Sequence, residues 1–194
     1  ILDSAIVTLP AIDAPYEPRV SALTRASQNM LTQVGAWQLV EKYRYSPFTT
    51  MQVREEEGRA ELQFSAEAIG ESHLGCLVEN RVLQWALTTV ATQAENVQFL
   101  APEQLTALER YPNYWRVTLA SGKIINTLLI IGADGAMSSV RKLTAIAMDT
   151  WDYQQQAIVC TVQTQKPHQA CARQVFLKTG PLAFLPLSKP LSPS

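Results

Sequence analysis

One stretch decides the fold of this 194-residue chain: Ile131-Gly-Ala-Asp134-Gly135-Ala-Met-Ser138-Ser-Val-Arg141, at the end of the apolar run Ile124–Ile131. A run with hardly a polar residue is typical of a strand buried on both faces. The run breaks at Gly132, and Ser138 or Ser139 can cap a short helix that follows. The stretch therefore predicts a buried strand, a sharp turn and a helix N-terminus.

Asp134 stands where such a sheet would bind a ligand. Ligands of open α/β sheets lie beyond the carboxyl ends of the strands, because backbone amides and the helix dipole there favour anionic groups. An aspartate at that place can accept hydrogen bonds from ribose or ribityl hydroxyls. A tight turn with a capping aspartate explains Asp134 and Gly135 equally well. The turn alone does not indicate a binding site, because other candidate ligand-binding residues are needed to support that interpretation.

Composition excludes several classes of protein. The chain has 16 Lys+Arg and 17 Asp+Glu, a formal net charge of −1, so no basic excess exists for binding nucleic acid. Hydrophobic residues make up 47% and charged residues 17%, the balance of a globular chain rather than a disordered one. The length fits one large domain or two small ones.

The cysteines and histidines give no metal or redox site. Cys76, Cys160 and Cys171 form no CxxC pair, and His73 and His168 have no neighbouring ligand spacing, so neither zinc nor a Ser-His-Asp triad is supported. The scattered thiols favour a reducing cytoplasm. We expect no membrane span, because no apolar run approaches the ~20 residues that one needs. The N-terminus lacks a targeting pattern and indicates a truncated start.

Hydrophobic periodicity predicts a mixed chain of strands and helices, and so an α/β or α+β fold. Alternation across Thr50–Ser65 predicts an antiparallel hairpin with one buried face. A helix from Ser27, with Met30, Leu31 and Val34 on one face, should end at Gly35. The other predicted strands are Ile1–Asp3, Arg19–Leu23, a strand ending at Leu77-Val78, Val97–Leu100, Trp115–Leu119, Ala157–Val162, Arg173–Leu177 and Leu182–Leu187, and a helix should begin at Asn80.

Three further residues could serve a nucleotide ligand. Arg19 follows the proline-rich loop Pro10–Pro18 and could direct its guanidinium at a phosphate, although an isolated arginine at a strand edge is more often a solvated surface charge. Asn80 could hydrogen-bond a flat heterocycle, but capping its helix is already a sufficient role. Asp3 ends a strand where a dinucleotide-binding unit places its ribose acid, yet no glycine fingerprint precedes it.

Four motifs in order resemble the FAD-dependent hydroxylases of ubiquinone biosynthesis, which are class A flavoprotein monooxygenases. Shorter matches at Ser72-His-Leu-Gly75, Trp151-Asp-Tyr-Gln154 and Ala172-Arg-Gln-Val-Phe176 are most similar to the 2-octaprenylphenol hydroxylase branch. The resemblance extends from Ile1 to about Ser188. The four motifs are Arg19-Val-Ser-Ala-Leu23, Gly75-Cys-Leu-Val-Glu79-Asn80-Arg-Val-Leu83, Ile131-Gly-Ala-Asp134-Gly135-Ala-Met-Ser138-Ser-Val-Arg141 and Gly180-Pro-Leu-Ala-Phe-Leu-Pro-Leu187.

The resemblance implies a role for each candidate residue. Asp3 would hold the adenosine ribose of FAD, Arg19 would lie near the pyrophosphate, and Asn80 near the ribityl chain or ring edge of the flavin. Asp134 and Gly135 would form the DG motif of the family, which serves FAD and NAD(P)H. Arg141 would either support that motif or contact NADPH.

The reaction implied by the resemblance is NAD(P)H-driven hydroxylation, by FAD and O2, of a polyprenylphenol ring in ubiquinone biosynthesis. The cofactor carries that chemistry, so no residue is assigned as protein acid or base. The resemblance also implies a ubiquinone-biosynthesis complex as partner and a cytoplasmic location peripheral to the inner membrane. Two alternatives stay open, namely another class A monooxygenase or related reductase, and a non-catalytic remnant or interaction module.

The resemblance implies a partial Rossmann-like FAD-binding domain and an antiparallel β-sheet substrate domain. Residues 1–50 and 76–150 would belong to the FAD-binding domain, 51–75 would form a hairpin on the substrate side, and 151–194 would be part of the substrate sheet. Neither a G-x-G-x-x-G turn nor the second flavin motif of the family, of the Gly-Asp type, occurs in the chain. We therefore expect the isolated chain to bind FAD weakly.

Overall fold

A computed structural model describes residues 1–188, and these form two compact units. One unit combines Ile1–Ile6 with Ala94–Ala157, and the other combines Val7–Gln93 with the segment from Ile158 onward. We call them the meander unit and the core unit. The proline- and serine-rich ending Lys189–Ser194, which closes the predicted 151–194 domain, lies outside the described residues.

The strands are β1 Val20–Thr24, β2 Ser46–Phe48, β3 Thr50–Glu55, β4 Glu61–Ser65, β5 Gly75–Glu79, β6 Leu105–Arg110, β7 Trp115–Leu119, β8 Ile124–Thr127, β9 Cys171–Leu177 and β10 Gly180–Phe184, and the α-helices are α1 Arg25–Gln33, α2 Trp37–Tyr43, α3 Asn80–Gln93 and α4 Ser139–Leu143.

The core unit is built on a three-stranded antiparallel sheet of order β1-β5-β2. Its central strand is entirely buried, and two helices pack against it. Val82 and Ala86 are one helical turn apart on α3, which gives that helix a narrow apolar face directed at the core. The buried cluster consists of Ala36, Trp37, Val40, Tyr43, Cys76, Val78, Val82 and Ala86.

A second sheet of the core unit has the order β10-β9-β3-β4. The predicted hairpin β3-β4 is confirmed, with Met51 opposite Phe64 and Val53 opposite Leu62. Its neighbour β9 runs parallel to β3, and β10 returns antiparallel to β9. The sheet expected to be antiparallel is therefore mixed. Its apolar face was expected to be buried, but Leu62 and Phe64 are more than half exposed because no described element packs over them.

The meander unit is a three-stranded antiparallel sheet of order β6-β7-β8. The turn predicted at Ser121-Gly122 joins β7 to β8, and Gly122 has a φ of +83°, which glycine adopts without strain. Leu2 forms a single parallel bridge with Leu100. The predicted strands Ile1–Asp3 and Val97–Leu100 are thus reduced to that bridge, since one ladder step is too short to be a strand.

Helix boundaries agree well with the sequence signals. The helix predicted from Ser27 is α1, and Thr24 caps it by accepting a hydrogen bond from the backbone N–H of Ser27. Gly35 follows its end with a φ of +81°. Of the predicted apolar face only Leu31 packs against the core, whereas Met30 and Val34 are more than half exposed.

Two predicted strands are wrong. The run Ile124–Ile131 contains the strand β8 only to Thr127, and Leu128 and Ile131 are 84% and 79% exposed. Ala157–Val162 has no strand, and Ile158 is 94% exposed. Both segments have the composition of buried strands. Neither residues 128–131 nor Ala157–Val162 pair with a strand among residues 1–188, and without such a neighbour an apolar run does not form a ladder.

The mixed α/β class predicted from the sequence is confirmed. Among the described residues, no helix combines the length and apolar character needed to cross a membrane.

Candidate functional site

The junction between β5 and α3 brings two sequence-predicted residues together. β1 pairs antiparallel with β5, and Val20 lies opposite Glu79 at the end of the ladder. Arg19 precedes Val20 and Asn80 follows Glu79, so both residues lie just beyond that end. The backbone N–H of Asn80 donates to the carbonyl oxygen of Arg19 over 3.2 Å. Arg19 and Asn80 are therefore neighbours, although they are far apart in the sequence.

Both residues present unused hydrogen-bond donors. The hydroxyl of Ser21 donates to Oδ1 of Asn80 over 2.6 Å, which fixes the amide and leaves its NH2 group without a partner among the described residues. The guanidinium of Arg19 is exposed and forms no ion pair within residues 1–188. A guanidinium and an amide NH2 group suit an anionic ligand that also carries carbonyl or hydroxyl oxygens.

A buried ion network lies directly behind this junction. The side chain of Glu79 is 0% exposed and that of Arg44 is 3% exposed. Arg44 Nε donates to Glu79 Oε2 over 2.7 Å, and Nη2 lies equally close to that oxygen without hydrogen-bond alignment. Arg81 donates to Glu79 Oε1 over 2.9 Å and pairs with Glu17 at 3.2 Å. We call Arg44, Glu79, Arg81 and Glu17 the ion network.

The network holds the proline-rich loop that leads into β1. Nη1 of Arg44 donates to the carbonyl oxygens of Ile12 and Ala14, at 3.1 and 2.6 Å. Arg81 donates to the carbonyl of Pro15 over 3.0 Å. The guanidinium of Arg44 also lies 4.4 Å from the centre of the Tyr16 ring, a cation–π distance. The loop is thus attached mainly through its backbone.

Tyr43 adds a further anchor for the same loop. Its hydroxyl donates to the carbonyl oxygens of Pro10 and Ala11, at 2.6 and 2.8 Å. Burial raises the pKa of the Tyr43 hydroxyl, and the guanidinium of Arg44 opposes that effect. The hydroxyl stays protonated at neutral pH and remains a donor.

Sequence reasoning missed the ion network. Arg44 and Glu79 are 35 residues apart, and charged residues are normally exposed, so nothing in the spacing indicates that they meet. The one available signal is a glutamate that directly continues the apolar strand β5. A carboxylate at that position is either solvated or paired, and the sequence does not identify the partner.

The turn at Asp134 is shaped by its own carboxylate. Oδ2 accepts hydrogen bonds from the backbone N–H groups of Ser139 and Val140, at 2.6 and 3.2 Å, and Oδ1 accepts one from the hydroxyl of Ser138. The hydrogen bond from Ser138 is the main cause that lowers the pKa of Asp134 below its ordinary value. Gly135 has a φ of +82°. Asp134 therefore caps α4, the alternative left open by the sequence.

Arg141 lies on the same turn. Its Nη2 donates to the carbonyl oxygen of Ala136 over 2.6 Å, and its backbone N–H donates to Oγ of Ser138 over 3.0 Å. Arg141 thus supports the turn, as the resemblance implied for one of its two roles. Beside the turn is an open pocket of about 600 Å³, whose lining includes Trp115, Gly132 and Arg141.

Asp3 also lies in the meander unit. Its backbone N–H donates to the carbonyl oxygen of Leu100 over 3.0 Å, and Oδ1 accepts from the N–H of Ala5 over 3.0 Å. Oδ2 has no partner among the described residues, so one acceptor atom remains for a hydroxyl group. Asp3 is partly buried, which fixes its position at the chain reversal.

These residues fit FAD in their chemistry. Arg19 and Asn80 supply donors suited to a phosphate and a flavin carbonyl, and Asp3 supplies an acceptor suited to a ribose hydroxyl. The carboxylate oxygens of Asp134 are already engaged in the turn, so its role toward a ligand stays a prediction. No group of three His, Cys, Asp or Glu side chains within residues 1–188 is arranged to hold a metal ion.

Comparison with known proteins identifies relatives for most of the chain. No protein-family model matches it. The 3-demethoxyubiquinol 3-hydroxylase of Escherichia coli is 35% identical over 175 residues, which are 90% of this chain and 44% of that protein. Ubiquinone hydroxylase UbiL of Rhodospirillum rubrum is 35% identical over 174 residues, 90% of this chain and 40% of UbiL. The chain thus spans less than half the length of these curated relatives.

Solved structures share the fold at lower identity. HpxO of Klebsiella pneumoniae, solved with FAD, is 17% identical with a TM-score of 0.58, over 91% of this chain and 47% of that chain. The flavin-dependent monooxygenase PieE, solved with FAD and substrate, is 19% identical with a TM-score of 0.54, over 70% of this chain and 26% of that chain. At such identities the likeness establishes the fold alone. The chain is thus similar in sequence to ubiquinone hydroxylases over about 90% of its length, and similar in fold to monooxygenases solved with FAD.

Proposed function

We propose that this chain is part of an FAD-dependent monooxygenase that hydroxylates the ring of a polyprenylphenol intermediate in ubiquinone biosynthesis, with NAD(P)H and O2 as co-substrates. The two relatives named above are hydroxylases, which supports the reaction class. The observation that carries the proposal is the pairing of Arg19 with Asn80 at the end of the β1-β5 ladder. This backbone contact brings together two residues whose side-chain donors no described residue uses.

Each site residue has a binding task under this proposal. Arg19 pairs with the pyrophosphate of FAD, and the free amide NH2 of Asn80 donates to the ribityl chain or to a ring oxygen of the flavin. Asp3 accepts a hydrogen bond from the adenosine ribose. Asp134 and Gly135 shape the turn that borders the cofactor. FAD, when bound and reduced, supplies the oxygen-transfer chemistry, while this chain binds and orients it.

The domain boundaries belong to the same proposal. Segments 1–50 and 76–150 serve the cofactor, and 51–75 and 151–194 serve the substrate. The pairing of the hairpin β3-β4 with β9 and β10 in one sheet supports the second grouping. Under the proposal the enzyme works at the periphery of the inner membrane within a biosynthetic complex, because its substrate carries a long isoprenoid tail.

The test uses the protein expressed from the whole reading frame that encodes this chain. We expect bound FAD, NAD(P)H oxidation stimulated by a polyprenylphenol, and a product that has gained one oxygen atom. Hydroxylation of simple phenols alone would assign the chain to another class A monooxygenase. A purified protein without flavin that takes up none would overturn the proposal and favour the non-catalytic remnant.

Site variants test the carrying observation directly. Arg19→Ala and Asn80→Ala should each raise the dissociation constant for FAD by about tenfold or more, because each removes a donor to a charged or polar group. Arg59→Ala is the matched control, since Arg59 is an exposed arginine in the β3-β4 loop. Equal FAD affinity in all three variants would show that the pair does not bind the cofactor.

A further inference from the structure

We propose that Glu79 is a positioning residue for the ligand site, acting through the ion network to hold Arg19 and Asn80 side by side. The identity of the ligand as FAD rests on the proposed function, whereas the positioning itself does not. The proposal starts from the place of Glu79 in the chain. It is the last residue of β5, lies opposite Val20, and immediately precedes Asn80.

A single carboxylate connects three segments of the core unit. Oε2 of Glu79 is paired with Arg44, which follows α2, and Oε1 accepts from Arg81 in the first turn of α3. Oε1 also accepts the backbone N–H of Glu17 over 2.8 Å, in the loop that leads into β1. The residues on either side of Asn80 therefore both belong to the network, so Asn80 is held from both sides.

The loop before Arg19 depends on the network for its path. The one other backbone hydrogen bond found within it is local, from the N–H of Ala14 to the carbonyl of Ala11. Arg44, Arg81 and Tyr43 donate its other side-chain hydrogen bonds. The N–H of Glu17 donates to Glu79, and Ile12 packs against the buried cluster. Arg19 is the residue at which this loop becomes β1. Release of the loop would therefore free the backbone that aims the Arg19 guanidinium.

The charges of the network balance, with Arg44 and Arg81 against Glu79 and Glu17. Burying an ion pair requires a large desolvation free energy, and apolar residues of similar size often serve folding equally well. A buried ion network directly behind two donors that no described residue uses points to a geometric role. That role is to fix the loop and the strand–helix junction in one register.

The experiment replaces the buried pair by apolar residues. In the protein expressed from the whole reading frame, Arg44→Met with Glu79→Leu should fold with an unchanged or higher melting temperature. Amide hydrogen exchange of the cofactor-free protein over residues 10–18 should become faster by about tenfold or more, the factor that ~1.4 kcal/mol represents. The FAD dissociation constant should rise by a similar factor.

The control is the exposed ion pair Glu57 and Lys178, which has no contact with the loop. Glu57→Leu with Lys178→Met should change neither exchange over residues 10–18 nor the affinity for FAD. This double variant replaces an ion pair by the same two apolar residues, but at the surface of the core unit. An equal rise in exchange in both double variants would attribute the effect to general loosening and overturn the proposal.

The outcomes separate the two proposals. Unchanged exchange over residues 10–18 in a folded Arg44→Met, Glu79→Leu protein would overturn the positioning role. Faster exchange, combined with FAD affinity that Arg19→Ala does not affect, would sustain the positioning role and remove the cofactor assignment. If the double variant does not fold, Arg81→Gln tests the positioning role instead, because Arg81 is a partly exposed partner of Glu79. Amide hydrogen exchange at Glu17 must then rise about tenfold.

Discussion

The carboxylate of Asp134 illustrates how one residue can build a turn and still be a ligand candidate. Three donors converge on it, and the hydroxyl of Ser138 lowers its pKa most. A folded pKa below the ordinary value of 3.8 means that the unfolded state binds a proton more readily. The stabilisation is therefore present above about pH 4 and is lost as the pH falls through the folded pKa.

The measurement is amide hydrogen exchange at Ser139 and Val140 between pH 6 and pH 2, corrected for the intrinsic pH dependence of exchange. Protection should fall on acidification in the wild type. In Asp134→Asn it should be lower at pH 6 and should change less with pH, because no charge is lost. Identical pH profiles of protection in both proteins would contradict the assigned capping role.

His73 carries a second pH-dependent prediction. Burial lowers its pKa below 6.5, and the guanidinium of Arg25, 3.0 Å from Nε2, lowers it further. The folded state thus favours neutral His73, so its contribution to stability is complete above pH 6.5 and is lost as the pH falls through the folded pKa. Gln28 and Ser72 are the other hydrogen-bond partners of the ring.

We expect Arg25→Gln to raise the pKa of His73 toward 6.5, because a repelling positive charge is removed. A pH titration of the His73 ring signals by NMR measures both values. Glu71→Gln is the companion variant with the opposite expectation, since the carboxylate of Glu71 raises the pKa of His73. Shifts of the same sign in the two variants would show that the charges do not act as described.

At the scale of elements, Gly75 explains why β5 can lie between β1 and β2. A Cβ atom there would be 2.5 Å from the carbonyl oxygen of Leu23 and 3.0 Å from Cζ of Phe48. Gly75→Ala should therefore lower the free energy of unfolding of the core unit by ~1–3 kcal/mol, the usual cost of overpacking. Urea denaturation followed by tryptophan fluorescence measures it.

Gly58→Ala is the matched control for that measurement. Its added Cβ would meet the side chain of Glu55, which is exposed and can move aside. We expect a change below ~0.5 kcal/mol. A cost at Gly75 no greater than at Gly58 would mean that the sheet has room between its strands.

Local patterns predicted those elements whose partners are near in sequence. Gly35 marks the end of α1, and the alternation across Thr50–Ser65 specifies both strands of a hairpin. The run Ile124–Ile131 was mispredicted beyond Thr127 because a buried strand requires a covering neighbour that the pattern cannot name. The same reason applies to Ala157–Val162. Periodicity determines which face is apolar, whereas burial depends on what lies against it.

The candidate site was predictable to the same extent. Sequence reasoning selected Arg19 and Asn80 separately, and pairing of β1 with β5 makes them neighbours. It did not select Glu79 or Arg44, because their function depends on a long-range contact between two charged side chains. Ligand-type residues are recognised by their chemistry at an element's end. Positioning residues are recognised only once the elements are packed.

At the scale of the whole molecule, the division into two units separates the candidate residues. Arg19 and Asn80 belong to the core unit, whereas Asp3, Asp134 and Arg141 belong to the meander unit. The core unit holds its residues through buried contacts, and the meander unit leaves Leu128 and Ile131 largely exposed. Within the core unit, Arg19 and Asn80 are therefore held by a buried framework.

We expect the isolated 194-residue chain to bind FAD weakly, because no G-x-G-x-x-G turn occurs in it to present backbone amides to a pyrophosphate. Two donor side chains contribute together ~3–6 kcal/mol at most, which corresponds to dissociation constants from ~6 mM down to ~40 μM. Titration followed by flavin fluorescence should therefore show no saturation at micromolar FAD, and the weak binding that remains should decrease further in Arg19→Ala but not in Arg59→Ala. Stoichiometric uptake at micromolar FAD would mean that side chains alone can hold the pyrophosphate, and the requirement for a glycine-rich turn would be wrong for this fold.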